Sequence, residues 1–167
     1  SGVALLALTR SALAAADGLR PPVLIDEITD PRLGGAGWLA YDDLPPAVIS
    51  ATLAAADPAY FDRPPLDLPA AAAEWARTGV VTQAQSPLLA ELVAAHLRPE
   101  DPPLQDWFLG WQIERRFGRE QVLEWTLNTT YYGHLAYGIE AAARLYFGVG
   151  ATELTPAEAA LLAAVGR

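Results

Sequence analysis

Apolar positions in this chain recur at helical spacing in short segments, and prolines punctuate the segments. Leu109, Ile113 and Phe117 lie four residues apart, so they share one face of a helix predicted over Pro103–Phe117, with Gly118 just past its end. A second helix follows over Arg119–Asn128 and a third over Gly138–Tyr146. Pro45 and Pro46 open a helix that runs through Ala56, because proline is tolerated in a first turn, and Asp57-Pro58 stops it. An alanine-rich helix is expected around Ala70–Arg77. Ser86-Pro87 reads as an N-cap followed by proline at the first helical position, which starts a helix over Pro87–Leu97 that Pro99 ends. Thr155-Pro156-Ala157-Glu158 is a helix start of the capping-box type, and the last helix extends to Val165.

Between these helices the chain reads as loop. Gly18–Asp43 carries Pro21, Pro22, Pro31 and a glycine cluster at Gly34-Gly35-Ala36-Gly37, which leaves room for one short strand at Pro22–Ile28. Phe61–Pro69 is proline-rich, and Thr78–Gln85 should be extended or turn. Strand signals are otherwise sparse, so the pattern predicts an all-α single domain without internal repeats.

Composition narrows the function classes. The chain has 167 residues, enough to bury roughly two-thirds of its unfolded surface in one core. It has no cysteine, which excludes disulfides and thiolate metal sites. The net charge of -9 argues against a nucleic-acid partner, which would be repelled. All eleven basic residues are arginine. Val3–Ala16 is the longest apolar stretch, but Arg10 and Asp17 interrupt and end it, and it reads as an amphipathic helix; no run reaches the roughly 18–20 residues of a spanning segment.

The chemistry-bearing motifs lie towards the C-terminus. Ile113-Glu114-Arg115-Arg116-Phe117 is followed by LEWTLNTTYYG over Leu123–Gly133, GIEAAARLYFG over Gly138–Gly148 and LTPAEAALLA over Leu154–Ala163. In that order these motifs resemble the family 51 glycosyltransferases, the peptidoglycan transglycosylase domains of class A penicillin-binding proteins and monofunctional transglycosylases. The resemblance implies a lysozyme-like helical fold in two lobes with a cleft between them. It also implies one domain over residues 1–167, a family-like core over 44–163, and residues 1–17 as the remnant of an N-terminal anchor helix. Family members polymerise lipid II into glycan on the extracytoplasmic side of the bacterial cytoplasmic membrane. Lipid II or a glycan strand is therefore the implied ligand, with a cell-wall protein as a further partner and membrane association through such an anchor.

The same resemblance implies a glutamate acting as general base in an E-D-x-x-F motif, and proton removal of this kind contributes roughly 10² to 10⁴ in rate. That motif maps onto Ala54–Phe61, with Trp38-Leu39 and Leu44–Leu53 matching its approach, and Ala56 falls on the base. A methyl group accepts no proton. Asp57 is a candidate replacement, but one residue further on it points about 100° around a helix. A second motif, G-G-S-T-I-T-Q-Q in the family, maps onto Arg77–Ala84 and keeps Thr82 and Gln83. A third, R-K-x-x-E, maps onto Pro102–Asp106. Its carboxylate survives as the shorter Asp106, while both basic residues are prolines, so the charge that would meet a leaving pyrophosphate is lost. The family also implies that a divalent metal can assist here, although none is required.

Each surviving residue has a plain structural reading beside the functional one. Asp106 suits the positive end of a helix, Glu158 completes a capping box with Thr155, and Asn128, Tyr131, Tyr132 and Gly133 suit a helix end and turn. Tyr146 and Phe147 read as core, and His96 and His134 as solvated. Arg115, Arg116 and Arg119, beside Glu114 and Glu120, read as a salt-bridged exposed face. Thr82, Gln83, Asn128 and Glu158 remain the substrate-binding candidates. Three functions follow. The chain is expected to be a catalytically impaired family member that binds a precursor, glycan or partner protein. The alternative is an active lipid II polymerase whose base has moved to Asp57, Asp62 or Glu74. A third reading is a lysozyme-like hydrolase using Asp106 and a second acid about 5–9.5 Å away.

Overall fold

Helix starts and stops fall where proline, glycine and the capping box place them. The computed structural model describes residues 37–65, 67–78, 86–94 and 103–166, and six α-helices lie within them. These are α1 (Pro46–Ala56), α2 (Leu68–Thr78), α3 (Pro87–Ala94), α4 (Pro103–Thr129), α5 (Ile139–Phe147) and α6 (Pro156–Val165). Two short 3₁₀ turns, Tyr41–Asp43 and Ala151–Glu153, precede α1 and α6. The described residues contain no strand, only an isolated antiparallel bridge between Tyr131 and Tyr137. The all-α, lysozyme-like expectation therefore holds. The strand expected at Pro22–Ile28, the amphipathic segment Val3–Ala16 and the turn at residues 79–85 lie outside the described residues, as does residue 95 onward of the helix expected to reach Leu97.

The capping chemistry is visible at each end. Pro46 occupies the first turn of α1. The N-terminus of α6 has the predicted capping box: Thr155 Oγ1 accepts from the Glu158 amide, and Glu158 Oε2 accepts from the Thr155 amide at 2.8 Å. Hydrogen bonds from the Thr155 hydroxyl and amide lower the Glu158 pKa, so this cap is complete near neutrality and fades as pH falls through its folded value. At the end of α5, Gly148 adopts the left-handed conformation and its amide returns to Arg144 O at 3.1 Å.

α4 runs as one element from Pro103 to Thr129, but Gly118 breaks it with φ 75° and ψ 169°. The two arms correspond to the two helices that the sequence predicts on either side of this glycine.

The core forms where the apolar stripes meet. α3 contributes Leu88, Leu89, Leu92 and Val93, a stripe at helical spacing that packs on the second arm of α4 through Val122, Leu123 and Leu127. α1 lies along α6, with Val48 buried on one and Ala159 and Leu162 on the other. Ala142 and Ala143 of α5 are fully buried, and their small side chains let neighbouring elements approach closely. Tyr146 departs from the core reading: it is 38% exposed, held at its tip by a hydrogen bond to Tyr132 O at 2.6 Å. Its ring spans the turn rather than filling the interior. His134 also departs from a purely solvated role, because its Nδ1 lies 3.1 Å from the same Tyr146 hydroxyl.

The turn joining α4 to α5 is tight. Gly133, His134 and Leu135 all have positive φ, and the chain is closed by bonds from the Tyr132 amide to Ala136 O and from the Gly138 amide to Thr130 O, each 2.9 Å. Gly138 has φ 84°, and a Cβ there would sit 2.6 Å from Asn128 O. At Gly148, φ is 73° and a Cβ would meet nothing within 4 Å. Gly148→Ala should therefore cost only left-handed strain, about 1–2 kcal/mol. Gly138→Ala adds a backbone collision and should cost about 2–5 kcal/mol. Urea melts of the two variants, compared at equal slope, will give this order, and equal losses would rule out the steric account.

Candidate functional site

The C-terminal end of α1 carries the residue pair in question. Ala56 is the last residue of the helix and is partly buried against the core, and Asp57 is its cap, with φ −155° and an amide bonded to Leu53 O at 2.9 Å. The Asp57 side chain is 2% exposed and its Oδ1 lies 2.6 Å from Arg63 Nη2, in a one-contact ion pair. Asp57 Oδ2 and Arg63 Nε are both buried without a hydrogen-bond partner. A buried pair satisfied on one side only is weak support for stability, but leaving either charge alone is expensive.

The loop after Asp57 is fixed to the corner of α4. Arg119 donates through Nη1 to Phe61 O at 2.8 Å and through Nη2 to Arg63 O at 2.6 Å, while its Nε pairs with Glu114 at 2.7 Å. Tyr60 is buried and donates its hydroxyl to Arg119 O at 2.8 Å; burial pushes that phenol far above its usual range, so it stays a donor. Arg119 is thus a partly buried clamp with all three of its guanidinium nitrogens engaged: the expected salt bridge forms, with Glu114, but this side chain is not on an exposed face. Arg115 and Arg116 instead lie over the rings of Trp111 and Phe117.

The segment before α1 is held from the same helix arm. Glu124 accepts from Trp38 Nε1 at 2.8 Å and from the Tyr41 amide at 2.9 Å. One turn later, Asn128 accepts from the Leu39 amide at 3.0 Å and donates to Leu39 O at 2.8 Å. Asn128 therefore binds the protein's own backbone in the manner of a neighbouring strand. Glu140 in α5 does similar work, accepting from the Ala151 amide at 2.7 Å and pairing with Arg144. The sequence reading passed over Glu124, although it lies four residues before Asn128 in the same motif, a spacing that puts both on one helix face.

A pocket opens beside Ala56. It lies between α1, α3, the end of α4 and α6, is partly open to solvent, has room of about 20 Å³, and counts Thr52, Ala56, Glu91, Thr126, Thr130 and Tyr132 among its walls. Thr126 and Thr130 spend their hydroxyls on helix carbonyls four residues back. Gly166 closes another side, where a Cβ would come within 2.7 Å of the Tyr132 ring. Tyr132 is 3% exposed, and burial, then the nearby Glu91 charge, keeps its phenol protonated. Glu91 is the one carboxylate among the walls. It is exposed at the rim, and sequence reading gave no signal for it, since it sits among leucines on α3.

The other candidates are not brought to this pocket by any described contact. Glu158 sits in its capping box, Asn128 is in the backbone clamp, and Asp106 lies near the start of α4 with its side chain outside the described residues, as are Thr82, Gln83 and His96. Asp62 is exposed and Glu74 partly so. Among the described residues no three His, Cys, Asp or Glu side chains converge as metal ligands; Asp106, the carboxylate beside which the resemblance implies a divalent metal, has its side chain outside them. No described helix is long and apolar enough to cross a membrane.

A family model described as Transglycosylase matches residues 27–167. Penicillin-binding protein 2D of Bacillus subtilis (strain 168) is 36% identical over 135 residues, covering 77% of this chain and 20% of that protein. Penicillin-binding protein 1A of Aquifex aeolicus (strain VF5) is 34% identical over 135 residues, covering 77% of this chain and 19% of that protein. Penicillin-binding protein 1A of Escherichia coli (strain K12) is 31% identical over 129 residues, with 73% and 15% covered. The chain thus spans a fifth or less of the length of these relatives.

The Asp57–Arg63 pair yields a directional expectation. Arg63 is 26% exposed and can rehydrate if Asp57 is neutralised, whereas Asp57 cannot if Arg63 is removed. Arg63→Ala should cost about 3 kcal/mol or more, and Asp57→Asn less than about 2 kcal/mol. Thermal denaturation of both singles and the double variant measures this; a larger loss for Asp57→Asn would refute it.

Proposed function

Because the chain belongs to the transglycosylase family, with the family model matching residues 27–167, we propose that it is a peptidoglycan glycosyltransferase-like domain that has lost catalysis and is retained for binding. Its ligand would be a lipid-linked cell-wall precursor, a glycan strand or a cell-wall protein, met on the extracytoplasmic side of the membrane. The observation that carries this reading is Ala56 at the position of the general base. The nearest acid in sequence, Asp57, supports it, since its carboxylate is buried against Arg63 rather than presented to a reacting hydroxyl. The loss of cationic residues at Pro102 and Pro103 points the same way, because a departing pyrophosphate needs positive charge aimed at it.

A second reading has one observation in its favour. Glu91 lines the same pocket as Ala56, so a relocated base would more plausibly come from α3 than from Asp57. In that case the parent chain turns over lipid II, and Glu91→Gln or Asp106→Asn abolishes the turnover.

Gel analysis of labelled lipid II incubated with the purified chain separates the two readings. Binding without polymer is expected from the parent, and a ladder of glycan strands would overturn the loss of catalysis. Ala56→Glu combined with Pro102→Arg and Pro103→Lys should restore polymer, since a single base is worth roughly 10² to 10⁴ in rate and the basic pair assists the leaving group.

A further inference from the structure

Two consecutive tyrosines of the LNTTYYG motif point to different surroundings at the turn between α4 and α5. Tyr132 belongs to the buried core, whereas Tyr131 is 50% exposed and Tyr137, its partner across the turn, is 56% exposed. The two exposed rings lie together, with centroids 4.8 Å apart and planes inclined at 40°. The backbone brings them there: Tyr131 and Tyr137 form the antiparallel bridge, and the chain between them reverses through His134 and Leu135 at φ 49° and 64°. Left-handed φ is unfavourable for both residues, and Leu135 offsets little of that by packing, since it is 83% exposed. The turn is held closed by its own amides and by the Tyr146 hydroxyl, which donates to Tyr132 O. That hydroxyl has one proton, so at the 3.1 Å contact His134 Nδ1 is the donor and adds a second latch. The ring pair is therefore ordered before any ligand arrives, which lowers the entropy cost of binding.

We propose that the Tyr131–Tyr137 pair is a stacking site for an uncharged sugar of a glycan strand, separate from the pocket beside Ala56. A tyrosine has an apolar body and a polar tip, and a pyranose is divided in the same way, with C–H groups on its faces and hydroxyls at its rim. No Asp, Glu or Arg lies between Thr129 and Ile139, in a chain of net charge -9. Such a stretch suits a neutral ligand and offers nothing to a phosphate or an ammonium. A bilayer fits less well, because interfacial segments combine a broad apolar face with a basic one, and Leu135 is the one large aliphatic side chain exposed in this turn. A second copy fits less well too, since three exposed side chains fall far short of the roughly 20–30 residues a side of a stable protein interface. The choice of ligand rests on the chain being a glycan-binding member of its family; the ring pair stands whether or not it polymerises lipid II.

Tetra-N-acetylchitotetraose, an uncharged soluble glycan, titrated into the ¹⁵N-labelled chain should give saturable amide shifts centred on the turn from Thr130 to Gly138. Tyr131→Ala and Tyr137→Ala should each weaken binding at least about fivefold, the level of a residue that anchors an interface, while Tyr131→Phe and Tyr137→Phe keep the ring and should stay within about twofold of the parent. Where an alanine opens the turn, Tyr131→Leu, apolar but without a ring, carries the same test. Leu135→Asn, which suits left-handed backbone, should leave the affinity unchanged. No saturable shift, shifts confined to pocket residues such as Thr52 and Thr126, or an equal loss in Leu135→Asn would overturn the proposal. So would binding to phosphatidylcholine vesicles, or dimerisation, that Tyr131→Ala abolishes while the sugar gives no response. Polymer formed from lipid II by the parent chain would instead overturn the loss of catalysis and leave the stacking site standing.

Discussion

One helical arm holds both ends of α1. The stretch of α4 after Gly118 reaches back with Glu124 and Asn128 to the segment that enters α1, and with Arg119 to the loop that leaves it. Every one of these contacts ends on a backbone carbonyl or amide, apart from the Glu124–Trp38 bond and the Arg119–Glu114 pair. The position of Ala56 is therefore set by a distant helix arm as well as by its own cap and by the packing of α1 on α6. Side chains that grip the backbone of a distant segment are insensitive to what that segment's own side chains are. A change at Ala56 leaves such a frame standing.

The acids and amides of the C-terminal motifs have structural work of this kind. Glu124 and Asn128 belong to the LEWTLN motif, Glu140 to GIEAAA, and Glu158 to the LTPAEAALLA run; each has a structural partner in the described residues. Such acids and amides are retained by the cost of leaving a buried or half-buried backbone group without a partner.

Much of the fold was legible because its signals are local. Proline at helix starts, Gly118 and Gly148 at helix ends, and Thr155-x-x-Glu158 act within a turn of their own position, and the structure follows them. Less was legible where residues meet across the chain. Arg119 looked like one charge among several on a surface, because nothing in its neighbourhood announces the carbonyls of Phe61 and Arg63. Glu91 gave no sequence signal, since the pocket it borders is assembled from four separate elements. The turn at Gly133–Leu135 was expected as a corner, but two consecutive non-glycine residues at positive φ were not, because that conformation is imposed by the bonds closing the turn.

Gly118 carries a consequence of a different kind. Its φ of 75° and ψ of 169° fall in a region that L-residues avoid, yet a Cβ built there touches nothing. The direction in which the two arms of α4 part is thus governed by handedness at one α-carbon and not by room. A D-alanine inserted at this position by chemical ligation meets the mirror-image steric map, in which these angles are ordinary extended backbone. The corner would accept the wrong enantiomer and resist the right one.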